Sequence, residues 1–231
     1  MRLDRMLSNA HAGTRSQVKK LVKEKRVKVN GVLAKTSSMQ IDEVNDEVTL
    51  DDIPVIYEEH MYLMLHKPAG YISATEGNVP TVMDLIYEDN NGLFPCGRLD
   101  KDTEGLLLIT NDGPLAHTLL SPKRHVEKEY YVEHALDMSE DDIVRLQSGI
   151  SYNGESYKPA KVNMISPRSC TLTITEGKYH EIKFMFQALG DKVTYLKRLR
   201  MKNLVLDESL KPGEYRYLTE EEITDLKADE Q

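Results

Sequence analysis

Apolar residues recur along this chain with two periods, one typical of helices and the other of strands. The helical spacing i, i+3, i+4 is present at 3–7 and again at 16–23. Alternating apolar residues flank Asn30 and Gly31, which predicts a β-hairpin across 27–33. The N-terminal part therefore has the pattern of a small fold with two helices and a hairpin.

Further along, short apolar strands and helices are mixed in no regular order. Strands are predicted at 46–50, 62–66, 106–110, 128–134, 158–164, 170–175 and 193–201. Helices are predicted at 81–87, 114–120 and 179–189, with a last one starting at Glu220. Because parallel sheets need a regular strand–helix–strand alternation, this order favours an α+β fold with a mixed, largely antiparallel central sheet flanked by helices.

Charge divides the chain into two parts. The 231 residues carry 30 Lys and Arg against 38 Asp and Glu, a formal net charge of -8. Residues 1–42 hold ten of these cations and three of the acids, a surplus of +7, which leaves 20 cations, 35 acids and a charge of -15 for the other 189 residues. We expect a basic domain at 1–45, a linker at 46–60 and an acidic body at 61–231.

The composition argues against several classes of protein. The apolar runs, such as 106–109, are far shorter than the roughly 20 residues of a membrane span, and the start at Met1 is unlike a secretory signal. Two cysteines, Cys96 and Cys170, are too few for a disulfide framework or a four-cysteine zinc site. We therefore expect a cytoplasmic protein without a membrane partner.

The basic domain carries much of its charge on one helical face. Arg15, Lys19 and Lys23 are spaced four residues apart. Such a face suits a phosphate backbone, although a solvated helix surface has the same pattern. The sequences at 2–7, 14–17 and 27–31 also resemble the RNA-binding domain of ribosomal small-subunit protein four. Together these features indicate RNA binding by Arg2, Arg5, Arg15, Lys19, Lys20 and Lys23.

An unusual cluster of charges lies at 97–113. Asp100, Asp102 and Glu104 fall within five residues, between basic neighbours and directly before an apolar run. A carboxylate at the edge of a buried strand is costly to desolvate without a cation, and sites that keep one are often catalytic. Capping or turn roles are equally open for Asp100, and they are favoured for Asp102 and Asp112.

Four short motifs follow one another along the chain. They are Lys67-Pro68-Ala69-Gly70, the segment 97–113 with Arg98-Leu99-Asp100, Lys128-Glu129-Tyr130, and the segment 176–183 with Lys183 at its end. In this order they resemble the pseudouridine synthases of the small-subunit branch, the RsuA type. The resemblance continues through 210–219 and covers nearly all of the chain. It implies that family's fold and its reaction, the isomerisation of uridine to pseudouridine in RNA.

The resemblance also implies roles for single residues. Asp100 falls on the catalytic aspartate, Tyr130 on the ring that packs against the target base, and Lys183 on the cation that pairs with the aspartate. Considered alone, Tyr130 also fits a half-buried strand residue and Lys183 a surface lysine. Further RNA contacts are expected from basic residues of the motifs and of two basic clusters, namely Lys67, Arg98, Lys128, Arg198 and Arg200.

The implied reaction detaches the base at its nitrogen, turns it over and reattaches it through carbon, with Asp100 as nucleophile or proton acceptor. It needs no cofactor or metal, and the sequence contains no Gly-rich phosphate loop, dinucleotide fingerprint or His/Cys ligand cluster. We expect a monomer whose partner is ribosomal RNA. The small-subunit branch indicates 16S ribosomal RNA in a pre-ribosomal particle, with uridine 516 as the usual target.

Other interpretations use the same features. Sister enzymes that act on 23S ribosomal RNA share the motifs, and the N-terminal domain also suits a non-catalytic RNA-binding assembly factor. A glycosidase could use Asp100 and Asp102 as paired carboxylates, but the basic domain would then have no purpose.

Overall fold

The computed structural model describes residues 1–10, 12–43, 45–55, 60–88 and 92–228. The chain divides into two compact units, Met1–His60 and Met61–Gln231. Within the described ranges, no helix combines the length and the apolar character needed to cross a membrane.

The first unit combines two helices with a small antiparallel sheet. Its elements are α1 (Leu3–Asn9), α2 (Arg15–Lys23), β1 (Val27–Val29), β2 (Val32–Leu33), β3 (Val48–Leu50) and β4 (Ile53–Pro54), with strand order β2-β1-β3-β4. The predicted hairpin is confirmed, since Asn30 and Gly31 both have positive φ between β1 and β2. Strands β3 and β4 correct the expected linker at 46–60, of which residues 56–59 lie outside the described residues.

Helix α2 starts where the sequence offers a cap. The Thr14 hydroxyl accepts a hydrogen bond from the Gln17 backbone N–H, and the Gln17 side chain accepts one from the Thr14 N–H. Val18 and Val22 are buried on one side of the helix, where they join the apolar core of this unit. The basic residues consequently lie on the solvent side.

The second unit is built around one sheet. Its strands are β5 (Tyr62–Lys67), β6 (Phe94–Cys96), β7 (Glu104–Thr110), β8 (Lys128–His134), β9 (Ile150–Tyr152), β10 (Glu155–Tyr157), β11 (Lys161–Ser166), β12 (Ser169–Ile174), β13 (Val193–Met201), β14 (Leu204–Val205) and β15 (Tyr215–Tyr217). Its helices are α3 (Gly113–Leu120), α4 (Glu140–Ser148), α5 (Glu181–Ala188) and α6 (Glu220–Lys227), with 3-10 turns at Val82–Leu85 and Pro122–Arg124.

The topology confirms a mixed, largely antiparallel sheet. The strand order is β11-β12-β8-β13-β7-β5-β15; β6 also pairs with β7, β14 pairs with β13, and β9 and β10 form a separate hairpin. Neighbouring strands run antiparallel, except that β13 and β7 are parallel.

Both faces of strand β7 are buried, as its apolar run predicts. Leu107 and Ile109 point into one apolar core, together with residues of α4 and α5. Leu106 and Leu108 point into a second core, together with residues of α3 and α6. Successive strand residues face opposite sides of the sheet, so an unbroken apolar run fits a strand that is covered by helices on both faces.

A close backbone approach holds the parallel pair together. Gly105 at the start of β7 has φ +103°, and a Cβ atom there would lie 2.3 Å from the carbonyl oxygen of Arg198 on β13. Only glycine fits both the conformation and the space. This contact fixes the start of β7, and with it the loop that precedes the strand, against β13.

Several elements differ from the predictions. The helix expected at 81–87 is a 3-10 turn at Val82–Leu85, and the strand expected from 158 begins at Lys161. Helix α5 begins at Glu181 instead of 179, because His180 adopts a left-handed conformation at its N-cap, with φ 50°. The pattern did not predict α4, β6, β9, β10, β14 or β15.

Candidate active site

The Asp100 carboxylate lies on a short loop between β6 and β7. Lys67 at the end of β5 is fully buried beneath this loop, and its Nζ donates hydrogen bonds to the carbonyl oxygens of Asp100 at 3.0 Å and Thr103 at 2.7 Å. Burial lowers the pKa of Lys67 to about 8. Lys67 of the first motif therefore supports the backbone of the Asp100 loop, which belongs to the second motif.

Two further contacts fix the same loop. The Ser73 hydroxyl accepts a hydrogen bond from the Leu99 N–H at 3.0 Å and donates one to the Leu99 carbonyl at 3.1 Å. The Gly70 N–H donates to the Lys101 carbonyl at 2.7 Å. The loop on both sides of Asp100 is thus tied to the chain that follows β5, so the carboxylate has a rigid support.

Lys183 lies in the first turn of α5 and bridges two carboxylates. Its Nζ is 2.9 Å from Asp100 Oδ2 and 2.6 Å from Asp102 Oδ1. Burial acts to lower the pKa of Lys183, but the hydrogen bonds with Asp102 and Asp100 outweigh burial, and the pKa is raised. The predicted pairing of Lys183 with Asp100 is present in the structure, and Asp102 joins it.

His180 is a member of the site that the sequence analysis missed. Its Nε2 lies 3.5 Å from Asp100 Oδ1, and the side chain is half-buried. The sequence feature that could have identified His180 is its position in the fourth motif, three residues before Lys183. The left-handed N-cap brings the imidazole and the lysine to the same carboxylate.

A cleft opens beside Asp100, and charged and polar groups line it together with apolar side chains and the Tyr130 ring. Tyr130 on β8 forms part of its wall, and burial raises the pKa of this phenol, which keeps the ring neutral. Arg98, which is exposed, and Glu181, which is buried, line the same cleft. The other lining residues are Leu99, Thr103, Ile174, Gly177, Lys178, Ile182 and Leu196, together with Asp100, His180 and Lys183.

Three residues that were expected to contact RNA lie in the protein interior instead. Lys67, Lys128 and Arg198 are 0%, 5% and 2% exposed. Lys128 Nζ donates to the Val126 carbonyl at 3.0 Å, and Arg198 Nε donates to the Leu106 carbonyl at 2.7 Å. These predictions are corrected, because the cations serve backbone carbonyls that are buried with them.

Other predicted RNA contacts have acidic neighbours. Arg200 is within 3.1 Å of Glu127 and 3.0 Å of Glu129. Arg2 pairs with Asp4 at 2.6 Å, and Lys20 lies 3.8 Å from Glu24. Arg5, Arg15, Lys19 and Lys23 are exposed.

The arrangement suits proton transfer or nucleophilic attack on a ring-shaped ligand. A carboxylate held against a cation stands at the wall of a cleft that has an aromatic face, and a planar group could stack there while Asp100 reaches it. In the described part of the chain, no three His, Cys, Asp or Glu side chains are placed to hold a metal ion. Asp112 is confirmed as a helix cap, since its Oδ1 accepts from the Leu115 N–H at the start of α3.

Comparison with family models gives two matches. The model described as RNA pseudouridylate synthase matches residues 61–188, and the model described as S4 domain matches residues 1–48. The first covers more than half of the chain, including the Asp100 loop and Lys183.

Individual proteins match over the whole length. An uncharacterised RNA pseudouridine synthase of Bacillus subtilis is 48% identical, with 96% of this chain and 97% of that protein covered. The ribosomal small subunit pseudouridine synthase A of Haemophilus influenzae is 41% identical, with 98% and 99% covered. A crystal structure of a pseudouridylate synthase superposes with a TM-score of 0.70 at 41% identity, over 98% of this chain and 99% of that one.

Proposed function

The chain belongs to the RNA pseudouridine synthase family and carries an S4 domain, and from that premise we propose that it converts uridine 516 of 16S ribosomal RNA to pseudouridine with Asp100 as the catalytic carboxylate. The small-subunit target is supported by full-length relatives that are named ribosomal small subunit pseudouridine synthase A. We further propose that it acts as a cytoplasmic monomer on RNA in a pre-ribosomal particle.

One observation carries the assignment of Asp100. Its carboxylate is paired with Lys183 at 2.9 Å and lines a cleft that also contains the Tyr130 ring. The three groups come from three separate motifs, and the fold brings them to one place. A cation at this distance stabilises the carboxylate charge that either a nucleophile or a proton acceptor needs.

The reaction is an isomerisation, so its atoms balance without a co-reactant. The bond from ribose C1′ to uracil N1 breaks, the base turns, and a bond forms from C1′ to C5. The proton displaced from C5 leaves, and N1 gains one. In this scheme the Asp100 carboxylate either attacks the sugar or takes a ribose proton during bond cleavage.

The target base must leave its stack before it can enter the cleft. Extrusion costs a few kcal/mol, and stacking on an aromatic ring returns about 1–3 kcal/mol. Tyr130 is suited to supply this contact because its ring is neutral, buried and positioned at the cleft wall. Exposed Arg98 at the same cleft is suited to hold a flanking phosphate.

The target is tested by mapping pseudouridines in both ribosomal RNAs of cells with and without this protein. We expect one 16S position, uridine 516, to lose its modification when the protein is absent, and to regain it when the wild-type gene is restored. Loss of a 23S position instead would identify the large-subunit alternative. An unchanged map would indicate a binding protein without catalysis.

Asp100 is tested by restoring the Asp100→Asn variant in the same cells and by assaying it in vitro. We expect at least about a 10³-fold loss of pseudouridine formation. The Lys183–Asp102 pair remains, so RNA binding and thermal unfolding should stay close to wild type. Retained activity would remove Asp100 from the mechanism.

A further inference from the structure

A second hollow, of about 430 Å³, lies next to the catalytic cleft. It is formed by the β9–β10 hairpin and the chain that enters α5, and four of its lining residues are aromatic. The lining residues are Tyr152, Asn153, Glu155, Tyr157, Lys178, Tyr179 and Phe184. The proposed function leaves this surface without a role.

The aromatic rings of this hollow are already ordered by stacking. Tyr179 lies on the His180 ring with centroids 3.7 Å apart and planes 20° apart. Phe184 stacks on Tyr152 with centroids 5.8 Å apart and planes 27° apart. Tyr179 also meets Phe184 at a tilt, with centroids 6.4 Å apart, but it is still 73% exposed, so much of the ring supported by His180 is open to solvent. An exposed ring held in this way loses little further entropy when a flat ligand stacks on it.

The hollow continues directly from the catalytic carboxylate. His180 contacts Asp100 at 3.5 Å and stacks on Tyr179, so one ring separates Tyr179 from Asp100. Lys178 lines both the cleft and the hollow. A nucleotide that neighbours a base held at Asp100 would therefore reach the open ring of Tyr179.

The charges of the hollow favour a base over a phosphate. Lys178 Nζ is 2.7 Å from Glu155 and 3.9 Å from Glu176, so its charge is already balanced by carboxylates. Phosphate contacts rely on cations, whereas every nucleobase has a π face that can stack on an aromatic ring.

We propose that Tyr179, backed by His180, is a stacking platform for an unpaired nucleobase adjacent to the reacting uridine. This inference rests on the proposed function for the identity of the substrate as RNA. It extends that function by assigning a substrate-binding role to a residue outside the catalytic pair.

The test compares Tyr179→Ala, Tyr179→Phe and, as a control, Tyr87→Ala, which removes an 87% exposed tyrosine of the same unit that lines neither hollow nor cleft. Pseudouridine formation is measured on pre-ribosomal particles isolated from cells that lack this protein. We expect Tyr179→Ala to raise KM about 5- to 150-fold, the equivalent of 1–3 kcal/mol of stacking, with kcat within about twofold. Tyr179→Phe and Tyr87→Ala should retain the wild-type KM.

A second measurement does not need catalysis. It uses the Asp100→Asn variant and a single-stranded RNA of about 12 nucleotides that contains one 2-aminopurine. We expect the fluorescence of the 2-aminopurine to be quenched when the RNA binds, and Tyr179→Ala to abolish this quenching. If the wild-type protein forms no pseudouridine in these particles, the proposed function is rejected, while the quenching still tests the platform. The platform is overturned if Tyr179→Ala leaves KM and quenching unchanged, or if it lowers kcat alone.

Discussion

Lys183 lies between the carboxylates of Asp100 and Asp102, so substituting each partner tests which of the two ion pairs the reaction needs. The Lys183→Met variant would leave Asp100 and Asp102 without their shared cation. Because each carboxylate would then repel the other, we expect kcat for pseudouridine formation to fall about 10²-fold or more, with Lys183→Arg retaining part of it. Asp102→Asn is the matched control, since it leaves the Asp100–Lys183 pair, and its effect should be below about fivefold. Equal losses in Lys183→Met and Asp102→Asn would contradict this division.

Lys67 supports the loop from inside the protein. The Lys67→Met variant would leave the carbonyls of Asp100 and Thr103 without their buried donor. We expect it to lower the free energy of unfolding by about 2–4 kcal/mol and the activity by at least about tenfold, measured by urea denaturation and by kinetics. Unchanged kcat in a folded variant would argue against a positioning role.

The same variant has a pH signature. The pKa of Lys67 falls from 10.5 to about 8 on folding because the side chain is buried. Between these values the unfolded chain keeps a proton that the folded chain has lost, so the Lys67 contribution to folding stability increases with pH. We expect the difference in unfolding free energy between wild type and Lys67→Met to increase from pH 8 to pH 10. A constant difference would mean that Lys67 does not titrate in this window.

Residue types were easier to predict than residue environments. The Asp100–Lys183 pairing was available from two motifs, because the resemblance supplied the spatial link that spacing does not contain. The sequence did not predict that Lys67, Lys128 and Arg198 are buried, because a lysine or arginine in a sequence can be either buried or exposed. Lys67 and Lys128 donate to loop carbonyls, and Arg198 donates to the Leu106 carbonyl within β7.

Among the elements, the parallel pair of β7 and β13 leaves no space for a side chain at Gly105. In Gly105→Ala, the added Cβ would meet the Arg198 carbonyl oxygen at 2.3 Å, at a φ of +103° that alanine rarely adopts. We expect a loss of more than about 3 kcal/mol in unfolding free energy. Gly113→Ala is the control, because nothing lies within 4 Å of the position its added methyl group would take and its φ is ordinary. Similar stability of the two variants would refute the steric argument.

Long periodic elements were predicted well and short ones were not. Strands β8 and β13 agree with the predicted bounds, because their apolar pattern is sustained along the central sheet. Helix α6 begins at Glu220 as predicted, directly after its N-cap Thr219. The hairpin β9–β10 and the helix α4 were missed although each has a local signal, the turn Asn153–Gly154 and the capping pair Ser139–Asp142. Only Leu146 of α4 and Leu226 of α6 are buried, so both helices have a weak apolar period.

At the scale of the whole molecule, the unequal distribution of charge predicts that the basic first unit contributes to RNA binding. Truncation at residue 42 would remove the segment that packs against β3 and β4, so substitution is the cleaner test. Replacing Arg15, Lys19 and Lys23 together by Gln should weaken binding to 16S ribosomal RNA and reduce the slope of log affinity against log salt by about 2–3. Lys211→Gln, an exposed lysine of the second unit, should leave the slope unchanged. An unaltered slope in the triple variant would show that this helix face does not contact phosphate.

The parallel pair of β7 and β13 also has a consequence for how the protein is made. Residues 105 and 198 are neighbours in the sheet, yet a translating ribosome adds them about 90 positions apart, which takes on the order of 10 s at typical translation rates. During that interval the apolar β7 strand has an open edge that invites pairing with other chains. Lys183 is also still to be synthesised, so the nascent protein cannot form the Asp100–Lys183 pair until more than three quarters of the chain exists. Formation of the complete sheet therefore requires β7 to stay unpaired with other chains until β13 has been made.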